Sequence, residues 1–248
     1  MKKSRETPIR ISIHATVDET NAAAADCLAD WLADPGTRTF MPAAGNTPLE
    51  LYRRIAERRI PLGALTVFAL DEYVGVPLDE PRNCANLIRW CVQAAWSIPA
   101  DQFHTISSLE NEALASVREH ERKIAAAGGI DVLVLGLGRN GHLGFNEPGS
   151  AADSTGRVLE LERISIEANR EWFGGDYAPE RGVKVGLKTI LAARRILILA
   201  FGSHKSAAVH AMVDGVRDVR CPASLLQGHP GARLFLDQDA AAGLESPS

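Results

Sequence analysis

Neither a CxxC pair nor an HExxH motif occurs in the sequence. The four cysteines (Cys27, Cys84, Cys91, Cys221) are scattered, and Cys84 and Cys91, seven apart on one expected helix, sit too far along its axis to bridge. They read as thiols of a reducing compartment. The seven histidines are equally dispersed, so no zinc site is expected, nor any other metal. Long apolar runs are missing too. The basic start MKKSRETPIR is not followed by one, which excludes a signal peptide or a membrane span and makes the cytoplasm the expected location. Positive charge is not in excess: 27 Lys and Arg stand against 31 Asp and Glu, a net charge of −4. Such a chain offers no basic face to phosphate backbones, so nucleic acid is not an expected partner.

What is present is an ordinary globular composition, with 46% hydrophobic and 23% charged residues. The length of 248 residues fits a single α/β domain, 1–248. Short apolar runs alternate with segments of helical period: RISIH (10–14), a helix over 21–33, TRTFMPA (37–43), PLELYRRIAERR, LTVFALDEY (65–73), RNCANLIRWCVQAAW, a helix over 110–127, IDVLVLGLG (130–138), RILILAFGS (195–203), a helix starting near Lys205, a short helix over PASLLQG, and ARLFLD. This βαβα order predicts a doubly wound α/β fold of Rossmann-like type, a mostly parallel sheet with helices on both faces. Residues 150–188 are the least regular and read as a lid-like segment.

Ligands of such sheets bind beyond the carboxyl ends of the strands, which directs attention to AAGNTP, DEYVG, GRNGHLGFNEP and GSHK. Gly136, Gly138 and Gly141 match the dinucleotide fingerprint GxGxxG, but two further glycines and Pro148 follow within eight residues of Gly141 and break the helix that fingerprint requires. No nucleotide or other organic cofactor is expected. The loop instead places His142 near Asn140 and Glu147, and a carboxylate beside an imidazole fixes its tautomer and raises its basicity. Asp71 and Glu72 end an apolar run, point to opposite sides, and leave one carboxylate facing the cleft with a tunable pKa. Thr47 reads as the N-cap of a helix with Pro48 in its first turn, beside Gly45 and Asn46. Lys205 begins another helix, where a cation is best explained by an anionic ligand. Two such sites suggest a phosphorylated small molecule.

LDEYVGVP, GGIDVLVLGLGRNGHLGFNEPGS and GSHKSAAV resemble the glucosamine-6-phosphate deaminase family, over residues of about 10 to 240. The related 6-phosphogluconolactonases share the fold but carry different strand ends. The resemblance implies an isomerase and deaminase, hydrolase in net reaction, that turns glucosamine 6-phosphate or a close amino sugar phosphate into fructose 6-phosphate and ammonia without metal or cofactor. Asp71 looks like the base between C2 and C1, and His142 like the ring-opening acid and base, oriented by Glu147 with Asn140 beside it. The substrate is expected to meet Gly45, Asn46, Thr47, Glu72, Gly141, Lys205, Arg170 and Lys184. The chain departs from the family pattern at Ala44 in the phosphate loop, at Glu171 where an arginine is expected (Arg170 lies one residue earlier), and at Lys184 and Arg157. The alternatives are deamination of a different amino sugar and a sugar-lactone hydrolase of the 6-phosphogluconolactonase kind. The sequence leaves association into a homo-oligomer open.

Overall fold

The computed structural model describes residues 9–175 and 177–244. Among them, the strands are β1 (Arg10–His14), β2 (Thr39–Met41), β3 (Thr66–Phe68), β4 (Asp71–Tyr73), β5 (Phe103–His104), β6 (Val132–Gly136), β7 (Arg157–Glu160), β8 (Arg181–Lys184), β9 (Arg195–Ala200) and β10 (Ala232–Asp237). The α-helices are α1 (Val17–Ala33), α2 (Leu49–Glu57), α3 (Cys84–Ile88), α4 (Ala113–Ala126), α5 (Arg163–Trp172), α6 (Leu187–Leu191), α7 (Ser206–Val213) and α8 (Gln238–Ala241). Seven strands form one parallel sheet in the order β1-β10-β9-β6-β2-β3-β5.

Alternation along the central strands explains the two layers of helices. Val132, Val134, Leu197 and Leu199 pack with buried residues of α1, α2 and α3, whereas Leu133, Leu135, Ile196 and Ile198 pack with Ile124 of α4, Ile190 of α6, Val209 of α7 and Ala240 of α8. Both faces of β6 and β9 are therefore apolar, as a sheet covered on both sides requires. After β2 the chain moves outward to β3, and after β6 it moves the other way to β9, so the switch point lies between β2 and β6.

Two expectations need correcting. LTVFALDEY is not one strand. It leaves the large sheet after Phe68 and resumes at Asp71 as β4, which belongs to a separate antiparallel sheet of order β4-β8-β7. Residues 150–188 are not irregular either, because they hold β7, α5, β8 and α6. Their strand pattern was hidden because β8, RGVK, carries a fully buried lysine, and a Cβ on its Gly182 would lie 2.6 Å from the Phe145 ring.

Candidate active site

A cleft of about 340 Å³ opens at the carboxyl ends of the parallel strands. Its floor comes from residues following β2 (Ala43–Thr47), β6 (Leu137–Arg139) and β9 (His204 and Lys205). One wall is Asp71 and Tyr73 of β4, and α5 closes the other side with Ser165, Asn169 and Trp172. The segment expected to be a lid thus supplies a helical wall.

The glycines of GLGRNGHLGFNEPG have local reasons unrelated to nucleotides. A Cβ on Gly138 would fall inside the His142 imidazole, and the Gly138 amide donates to the His142 carbonyl at 3.0 Å. Gly144 has φ +55°, and its Cβ would lie 2.9 Å from Asp71 Oδ2. The loop therefore runs close beneath both the imidazole and the carboxylate. Gly141, expected at the substrate, instead turns at φ +81° against Cys221, accepting a hydrogen bond from the Ala223 amide. It does not line the cleft.

His142 is joined to a buried acid. Its Nδ1 lies 3.4 Å from Glu147 Oε2 and 3.4 Å from Ser165 Oγ. Ser165 Oγ donates to Glu147 Oε1 at 2.5 Å, and Asn140 Nδ2 donates to Glu147 Oε2 at 2.8 Å and to Glu162 Oε2 at 2.8 Å. Burial pushes the Glu147 carboxyl up, but hydrogen bonds from His142, Ser165 and Asn140 and the imidazolium charge outweigh it and bring it to about 2. Glu147 and Asn140 stand behind the imidazole and do not line the cleft.

Asp71 is handled the other way. It is 6% exposed, and burial, reinforced by the neighbouring Glu72 charge, raises its carboxyl to about 7 against hydrogen bonds from Cys84 and the Phe145 amide and the attraction of Lys184. Glu72, expected at the substrate, points away. Its carboxylate accepts the amides of Tyr73 (2.8 Å), Cys84 (3.0 Å) and Ala85 (2.8 Å), anchoring β4 to the start of α3. Adjacent strand residues face opposite sides, and here one faces the cleft and the other a helix end.

The remaining expected residues divide. Gly45, Asn46, Thr47 and Lys205 line the cleft. Thr47 does not cap α2, however: Pro48 occupies the cap position with no side-chain hydrogen bond, and Thr47 packs on Gly136. Lys205 Nζ donates to the Leu137 carbonyl at 2.6 Å, and burial, with the Arg139 charge, lowers the ammonium to about 8. Arg170 is on the exposed side of α5 and does not line the cleft, whereas Glu171 does. Lys184 is fully buried and bonded to Asn146, and it does not line the cleft.

Sequence reasoning missed Arg139 and His204. Arg139 lines the cleft beside Lys205 and pairs at 3.8 Å with Glu171. Burial and the charges of Lys205 and Arg139 hold the His204 imidazole below its ordinary value. Crowded cations raising one another's energy are the arrangement an anion relieves. The signal is in the sequence, because Arg139 sits in the strand-end stretch GLGRNGH, three residues before the histidine.

A family model described as glucosamine-6-phosphate isomerases/6-phosphogluconolactonase matches residues 12–235. The chain belongs to this family. A glucosamine-6-phosphate deaminase of Corynebacterium kroppenstedtii is 36% identical over 242 residues, covering 96% of this chain and 93% of its own length. A solved monomeric glucosamine-6-phosphate deaminase of the NagB superfamily superposes with a TM-score of 0.90 at 28% identity, covering 94% of this chain and 99% of its own. A 6-phosphogluconolactonase from Trypanosoma cruzi superposes with a TM-score of 0.80 at 20% identity, covering 99% of this chain and all of its own. The last likeness is one of fold alone. Among the described residues, no helix of the family member in hand is long and apolar enough to cross a membrane.

Proposed function

We propose that this family member is an enzyme of the cytoplasm that converts glucosamine 6-phosphate, or a close amino sugar phosphate, into fructose 6-phosphate and ammonia. The observation that carries the reading is the pairing, in one cleft, of a desolvated carboxylate (Asp71) with an imidazole held by a buried acid (His142 with Glu147). An aldose-to-ketose shift needs these two groups.

His142 passes a proton between the ring oxygen and the C1 hydroxyl, opening the pyranose to the aldehyde, while Glu147 fixes the imidazole. Asp71 removes the C2 proton, giving an enolamine, and returns a proton to C1. The C2 imine that results takes up water, and ammonia leaves from C2, so one water is consumed for each ammonia released. Arg139 and Lys205, with His204 beside them, hold the phosphate in this reading, since they supply the positive end of the cleft.

The test is ammonia release from a panel of glucosamine 6-phosphate, galactosamine 6-phosphate and unphosphorylated glucosamine, with 6-phosphogluconolactone hydrolysis as control. Turnover of glucosamine 6-phosphate above the others is the expected result. Hydrolysis of the lactone with no ammonia from any amino sugar overturns it.

A further inference from the structure

Lys184 is a lysine with no exposed surface, and the proposed mechanism does not use it. It stands directly opposite Asp71 in the antiparallel β4–β8 pair, and directly opposite Arg157 in the β7–β8 pair. Residues opposite one another in antiparallel strands project on the same face of a sheet. A carboxylate, an ammonium and a guanidinium therefore form a row across the small sheet. The Lys184 Nζ donates to Asn146 Oδ1, and the Asn146 amide donates onward to the carbonyls of Leu143 (3.1 Å) and Val185 (3.2 Å). Leu143 follows His142, and Asn146 precedes Glu147. One chain of contacts thus runs from the strand partner of Asp71 to the loop that carries the imidazole and its acid.

We propose that Lys184 is a positioning residue of the reaction: its buried ammonium holds Asp71 ionised as the base and, through Asn146, fixes the His142 loop relative to it. This rests on the reading of Asp71 as base given above. The ammonium makes its hydrogen bond to Asn146, and the charges that favour it, those of Asp71, Glu121 and Glu147, act on it through space. The charged and titratable groups around the pair come from every packed element. Asp71 feels the charge of Glu72, which projects to the other side of its own strand, and has around it Cys84 of α3, Tyr52 of α2, Tyr73 and Lys184. Lys184 is faced by Arg157 of β7, Glu121 of α4, Glu147 of the loop, and Asp71. Arg157 is partly drawn aside by Ser150 Oγ, to which it donates at 2.7 Å, and Glu121 is occupied by the amides of Gly156 and Gly186 and the Thr189 hydroxyl. Of the carboxylates, Asp71 is the one opposite Lys184 in register. Burial, with the Arg157 charge, brings the ammonium down to about 7, against the attraction of Asp71, Glu121 and Glu147.

The sign follows. Without the ammonium, ionised Asp71 keeps its burial and its repulsion from Glu72 but loses its attraction, so it holds its proton to higher pH. In Lys184→Met the acid limb of kcat/KM moves up by about one pH unit or more, so that activity near pH 6 falls about tenfold relative to wild type. Well above both titrations Asp71 is ionised in either protein, and there KM is unchanged and the remaining loss in kcat is only the part that comes from the loosened His142 loop. Lys184→Arg, which retains a cation, keeps its acid limb near that of wild type. Lys184→Gln gives the same reading as the methionine variant should that variant fail to fold. An activity-independent readout is the infrared carbonyl band of protonated Asp71, assigned by its loss in Asp71→Asn, which persists to higher pH in Lys184→Met. An unmoved acid limb and band overturn the proposal, as does a raised KM with an unmoved limb, which makes Lys184 a substrate contact. A loss uniform in pH reduces it to a packing residue. A shifted band in a protein that releases no ammonia from any amino sugar upholds the coupling of Lys184 to Asp71 and overturns the assignment of Asp71 as base.

Discussion

Two carboxylates serve the same cleft and are driven in opposite directions. Asp71 sits on β4 under apolar cover, next to another acid, and rises to about 7. Glu147, equally hidden at 5% exposure, receives hydrogen bonds from Ser165, Asn140 and His142 and falls to about 2. Burial alone therefore decides neither. What separates them is their neighbours: Asp71 is buried beside the like charge of Glu72, whereas Glu147 receives three side-chain hydrogen bonds and the opposite charge of His142, and in the proposed reaction the first accepts a proton from carbon while the second stays charged and orients the imidazole.

The sharpest way to break this contrast is Asp71→Asn, which should lower kcat roughly 10²- to 10⁴-fold with little change in KM. Wild-type kcat/KM should itself decline as pH falls through about 7, where Asp71 takes up its proton. Because the folded value lies above the ordinary carboxylate range, the stability contributed by this group is present below that range and lost as pH rises through about 7. Asp71→Asn should consequently melt several degrees above wild type near pH 8, with the gap closed near pH 4, as calorimetry would read.

Glu147→Gln tests the other side. It should cost about 10- to 100-fold in kcat through a misoriented imidazole, and it should destabilise the fold by about 1 to 3 kcal/mol at neutral pH. The sign is reversed here. A lowered carboxyl contributes stability above its ordinary range and loses it as pH falls toward about 2, so urea titrations of variant and wild type should converge in acid.

Away from the two acids, Arg139→Ala should raise KM for a sugar phosphate about tenfold or more, the worth of one charge-assisted contact, while Arg170→Ala on the outer side of α5 leaves it unchanged. The smallest effect belongs to Glu171→Gln. Freeing Arg139 from an exposed ion pair should lower KM only about two- to fivefold, and an increase would show that Glu171 itself grips the substrate.

Much of the fold and of the cleft is legible in the sequence. The two-faced parallel sheet was written in fully apolar runs such as IDVLVLGLG, and the strand-end rule led directly to His142, Asp71 and Lys205. The break inside LTVFALDEY was not legible, because Ala69 and Leu70 are as apolar as the strand they interrupt and only sheet partners reveal the change. Glu72 and Lys184 were misplaced for a related reason. A charged residue in sequence suggests a ligand or solvent, and nothing local tells that Glu72 meets the amides of α3 or that Lys184 lies under the Asn146 side chain. Residues 150–188 were misread because β7 and β8 satisfy each other and β4 in a small sheet whose arginines and lysine blur the apolar rhythm.

The break after Phe68 makes the cleft a calliper. One jaw is the large sheet, whose strand ends bear Arg139 and Lys205, and the other is the small sheet, which bears Asp71. In the proposed reaction the opening between the jaws gauges the span from the sugar's phosphate to its reacting carbon. An isomer such as glucosamine 4-phosphate, which keeps the free anomeric carbon that ring opening needs but brings the phosphate closer to C2, would touch one jaw at a time and go unread, and measurable ammonia from it would show that the jaws do not hold their gap.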